Sequence, residues 1–111
     1  MADHYYDSED LRRFAEIGNN SSELATKFFE WYGAVFADGA LSARDKSIIA
    51  LAVAHAVQCP YCIDAYSRDA LEKGADLDQM TEAVHVAAAI RGGASLVHGI
   101  QMRGHAVKLA M

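Results

Sequence analysis

The chain has 111 residues, 52% of them hydrophobic and 23% charged, with a formal net charge of -5 at pH 7. Length and composition fit one folded domain spanning residues 1–111. The acidic balance provides no basic stripe for phosphates and argues against nucleic acid as a partner. The polar, acidic start MADHYYDSED is unlike a secretory leader, and the apolar run from Ser47 to Val57 is too short for a bilayer. The expectation is a cytoplasmic protein without membrane contact.

Residues 1–7 read as irregular, or as an arm on a neighbouring subunit. Residues 8–18, SEDLRRFAEIG, fit a short helix with Leu11, Phe14, Ala15 and Ile17 on its apolar face. Asn20 and Glu23 resemble a capping box for a helix over 21–39, in which Leu24, Phe28, Trp31, Tyr32 and Val35 recur at helical spacing. This aromatic stripe reads as core packing. Gly39 breaks that helix. Ser42, with Asp45 three residues on, opens the next, from Ala43 to Val57, and the apolar run after Ser47 predicts a central, buried element.

Pro60 suits the first turn of a helix that runs to Gly74, a C′ glycine. Asp76 or Asp78 begins a helix that Gly92-Gly93 interrupts, and residues 94–110 form a last one. No stretch alternates with period two, so the fold class is all-α, with five to six helices. Alanine is abundant in the central and C-terminal helices and provides little buried area per side chain, which favours completing the core by oligomerisation.

The chemistry concentrates at Cys59-Pro60-Tyr61-Cys62, which holds both cysteines and the one proline of the chain. Cys59 is placed at the N-cap of the helix beginning at Pro60, and Cys62 in its first turn. Backbone N–H groups there stabilise a thiolate, and thiols three residues apart can close a disulfide, so one sulfur attacks and the other resolves. The five histidines, His4, His55, His85, His98 and His105, supply no second half of a zinc signature. No metal, flavin or nucleotide motif is present, so no cofactor is expected.

Residues 42–97, with the apolar helix, CPYC, the ALEKGA turn and an amphipathic helix ending in a glycine pair, resemble the carboxymuconolactone decarboxylase/alkylhydroperoxidase D superfamily. The resemblance implies an all-α fold assembled as trimers or hexamers. It also implies a thiol peroxidase or oxidoreductase acting on a hydroperoxide or a partner's disulfide, with a thiol reductant protein. By resemblance Cys62 forms the sulfenic acid, and Cys59 donates a proton and then resolves it. The peroxidase branch has a Glu twelve residues before the first cysteine and a His four residues after the second. Here Ser47 and Tyr66 stand at those positions, and neither is an efficient base near neutral pH.

His55, four residues before Cys59, is the candidate substitute base, with Tyr66 as a hydrogen-bond donor and His85 as a further site member. Asp64 reads as surface. The alternatives carried forward are an oligomeric redox sensor without catalysis and a lactone decarboxylase of the same superfamily, although the decarboxylase branch does not depend on a CxxC pair.

Overall fold

A computed structural model describes residues 6–111; His4 and most of the expected N-terminal arm lie outside them. The described chain is all-helical: α1 Glu9–Arg12, a 3-10 segment Phe14–Asn20, α2 Ser22–Phe36, α3 Ala43–Ala56, α4 Pro60–Glu72 and α5 Leu77–Ala110. No helix among the described residues is long and apolar enough to cross a membrane.

The starts and stops around the centre follow local chemistry. Ser42 Oγ accepts the Asp45 N–H at 3.0 Å and caps α3. Asp76 caps α5 in a full capping box with Gln79. At the end of α4, Gly74 donates to Leu71 O and Ala75 to Ala70 O, the paired bonds of a Schellman stop. Gly74 has φ 89, where a Cβ would be strained, so glycine is needed there.

Three expectations are corrected. The 8–18 helix divides into one α turn and a 3-10 stretch, because Arg13 leaves α geometry at φ -95, ψ 3. The cap of α2 is Ser21, with no side-chain cap bond, rather than Asn20. Most plainly, Gly92-Gly93 does not break α5, which runs through both glycines. Each glycine costs a helix only about 1 kcal/mol, less than a new pair of unsatisfied helix ends would.

α3 packs against α4 and α5, and Leu51, Ala70, Ala75 and Met80 form the core, with Ile48 and Tyr66 against it. Only one face of α3 is buried, at Ser47, Leu51 and Ala54; Ile49, Val53 and Val57 are about half exposed or more. The expectation of an all-round buried helix therefore holds only in part for a single chain. Beyond Ala87 no residue of α5 is buried. The radius of gyration is 18.9 Å, against about 13 Å for a compact domain of this length.

Ser47 is fully buried, and its hydroxyl donates to Asp69 Oδ2 at 2.7 Å, joining α3 to α4. Burial pushes the Asp69 carboxyl up, but hydrogen bonds from Lys73 and Ser47 outweigh it and hold the group below its ordinary value. A carboxyl lowered by folding stabilises the fold above its unfolded pKa, and that contribution is lost as pH falls through the folded one. Ser47→Ala is expected to lose about 1.5–3 kcal/mol at pH 7 in urea unfolding, with the deficit narrowing below about pH 4 as Asp69 is protonated.

Candidate active site

Two helix ends meet at the cysteines. α3 closes with Gln58 N–H donating to His55 O at 3.2 Å and Cys59 N–H donating to Ala54 O at 3.0 Å, again a Schellman pair. Here the left-handed position is held by Gln58, at φ 57. A non-glycine residue in that region costs about 1–2 kcal/mol, so the turn is held by its surroundings. It delivers Cys59 in extended backbone as the N-cap of α4, with Pro60 as the first helical residue, as the sequence predicts.

Both cysteines are half-buried free thiols. Cys59 Sγ accepts the Cys62 N–H at 3.3 Å, and the two sulfurs share a hydrogen bond at 2.7 Å. A disulfide needs about 2.05 Å, so closing the bond asks for less than about 1 Å of sulfur movement. Burial, then the hydrogen bond with Cys59 and the charge on it, push the Cys62 thiol up to about 11. This runs against the lowering expected at a helix start. Desolvation wins over the helix terminus, whose contribution of about 0.3–1 kcal/mol corresponds to less than one pKa unit. The N-cap hydrogen bond from the Cys62 N–H goes to Cys59.

Tyr66, on α4, brings its hydroxyl against that of Tyr32 from α2, and its ring stacks on Phe36 with centroids 5.1 Å apart. Burial and then the Tyr32 hydroxyl hold the Tyr66 phenol well above its ordinary value, so it stays protonated and serves as a donor, never a base. By its spacing in the sequence, Tyr32 belongs to the core stripe. The available signal was the hydroxyl itself, because a tyrosine in an apolar stripe needs a polar partner.

Two cavities flank these groups. One, of about 540 Å³, is lined by both cysteines, Tyr32, Tyr66, Phe14 and Phe29, among others. The other, of about 420 Å³, shares Cys62, Tyr32 and Tyr66 and continues along Phe36, Ile49 and Val53. The N-terminal segment covers the larger one: Tyr61 donates to Asp10 Oδ2 at 2.8 Å, and Tyr6 donates to Asp64. Asp64 thus anchors this segment and also accepts from Arg68 at 2.7 Å.

The two histidine candidates are placed differently. His55 is half-buried, with Nδ1 2.8 Å from Leu51 O one turn back, and it lines neither cavity. His85 is exposed on α5 and lines neither cavity. The described residues hold no cluster of three or more His, Cys, Asp or Glu able to bind a metal.

Fold and site together define a small all-helical protein with a dithiol at a helix N-terminus, facing apolar cavities. The chain belongs to the carboxymuconolactone decarboxylase family, whose model matches residues 22–102. A relative described as uncharacterized protein 4 in the cox locus of Paracoccus denitrificans is 52% identical over 83 residues, 75% of each chain. A crystal structure of a protein from Methanobacterium thermoautotrophicum is similar at TM-score 0.73 and 32% identity, over 80% of this chain and 97% of that one. A carboxymuconolactone decarboxylase family protein from Legionella pneumophila matches at TM-score 0.69 and 33% identity, over 82% of each chain.

Proposed function

We propose that the protein is a thiol-dependent oxidoreductase that reduces hydroperoxides, or a partner protein's disulfide, through a dithiol–disulfide cycle of Cys59 and Cys62. The observation that carries this is the sulfur pair, 2.7 Å apart at the start of α4 and opening into an apolar cavity. With a hydroperoxide, the thiolate attacks the terminal oxygen and becomes a sulfenic acid, and the second thiol displaces water to form the disulfide. A dithiol reductant restores the pair. The N-cap hydrogen bond supports Cys59 as the attacking sulfur and Cys62 as the resolving one, the reverse of the roles implied by resemblance. The reversal rests on one contrast: Cys59 Sγ accepts the Cys62 N–H, whereas Ser47 and Tyr66, standing in place of a Glu–His relay, offer Cys62 no base.

The test is consumption of tert-butyl hydroperoxide with excess dithiothreitol. Continued turnover that depends on both cysteines supports the enzyme. Oxidation that stops after one equivalent and changes the assembly supports a redox sensor. His55→Gln is expected to leave the pH profile of thiol alkylation within about 0.3 unit of wild type, since its ring is bonded to Leu51 O and lies off the cavities. A clear upward shift would restore His55 as the base.

We also propose a homo-oligomer, trimeric or hexameric as the resemblance implies. The exposed second half of α5 and the large radius of gyration support it.

A further inference from the structure

We propose that the Tyr32–Tyr66 hydroxyl pair is the proton donor of this site: it hydrogen-bonds and then protonates the alkoxide oxygen that departs when a cysteine sulfur attacks a hydroperoxide. The inference rests on the peroxide-reduction reading and gives it a group that reading lacks. The S–O bond forms as the O–O bond breaks, and the O–O electron pair leaves with the alkoxide. Sulfur is oxidised by two electrons and the peroxide is reduced by two. The alkoxide takes a proton from a tyrosine hydroxyl, and the phenolate regains one from water. The proton released by the attacking thiol closes the balance.

The geometry selects this pair by elimination. Apart from the thiols, the donors lining the two cavities are Tyr32, Tyr66, Tyr61 and Lys46. Tyr61 gives its proton to Asp10 Oδ2, and Lys46, whose ammonium bonds Ala37 O at 2.6 Å, lines only the smaller cavity, which Cys59 does not reach. Tyr32 and Tyr66 bond to each other. Two hydroxyls carry two protons, and their mutual bond uses one, so one O–H remains to donate. Both tyrosines line both cavities together with Cys62, and share the larger one with Cys59, so the tyrosine pair and the two cysteines border one space. Burial holds the Tyr66 phenol well above its ordinary value, which keeps the donor charged with its proton across the working pH range.

The experiment compares two oxidants of the cysteine pair in wild type, Tyr32→Phe and Tyr66→Phe, in single-turnover reactions. tert-Butyl hydroperoxide expels a strongly basic alkoxide that needs a proton, whereas peracetic acid expels acetate, which does not. A hydroxyl left alone keeps its proton but loses the partner that orients it, so each single variant is expected to lose at least about threefold with tert-butyl hydroperoxide, and Tyr32→Phe combined with Tyr66→Phe at least about tenfold, against less than about twofold with peracetic acid. Equal losses with both oxidants, or none, would overturn the donor role while leaving the peroxidase reading intact. Wild type inert to both oxidants would overturn that reading and the donor role with it. Phenylalanine keeps the ring that packs on Phe36, and thermal melts of both variants report any general loss of fold; the ratio of the two rates is unaffected by the fraction folded.

Discussion

In Cys62→Ser, treatment with one equivalent of hydroperoxide is expected to leave a sulfenic acid on Cys59 that dimedone captures, because the resolving thiol is gone. In Cys59→Ser, the remaining thiol is expected to react at least about tenfold more slowly at pH 7. A thiol at about 11 is ionised to roughly one part in ten thousand at that pH. Substitution removes the part of the shift due to Cys59 but not the burial, which is its largest cause. The slow reaction of Cys59→Ser should therefore accelerate as pH rises above 8. Capture on Cys62 and never on Cys59 would restore the roles implied by the resemblance and would require a base that this site does not present. Neither single variant should sustain turnover, since each lacks one half of the disulfide.

The second large effect concerns α5. Leu96, Ile100 and Val107 share one helical face at spacings of four and seven, and each is at least 60% exposed in the single chain. Gly93 and Gly104 lie on the same side, and a Cβ built at either meets nothing within 4 Å. Such a face suits close approach of a second helix. Ile100→Asp should cost the isolated chain little, within about 0.5 kcal/mol, because the site is exposed. In an assembly it places a carboxylate in an apolar contact, and association should weaken by at least about a hundredfold, roughly 2.7 kcal/mol. Light scattering is expected to show wild type as an oligomer at micromolar concentration and the variant as a monomer with a lower melting temperature. A wild-type monomer would leave this face unexplained and the assembly proposal without support.

The middle of the fold was legible because short-range chemistry writes it. Ser42–Asp45, Pro60, Gly74 and Asp76 each act within three or four residues, and each does in the structure what its sequence context implies. The CxxC at the start of α4 was readable for the same reason. The unbroken α5 was not, because a glycine pair weakens a helix without forbidding it, and flanking residues decide the outcome. Tyr32 and Asp69 escaped notice as site neighbours because their partners are far away in sequence, 34 residues for Tyr66 and 22 for Ser47. Spacing rules say nothing about contacts between helices. The rise of the Cys62 thiol was also hidden, since a helix start favours the anion and only packing reveals the opposing burial.

The central claim is that Cys59 and Cys62 form one redox unit, and titration of the reduced protein with tert-butyl hydroperoxide tests it most directly. One equivalent of hydroperoxide is expected to remove both free thiols and lower the intact mass by two hydrogens, and dithiothreitol to restore both thiols. Two thiols that survive the titration, or a mass gain of oxygen on one sulfur with the other still free, would contradict it.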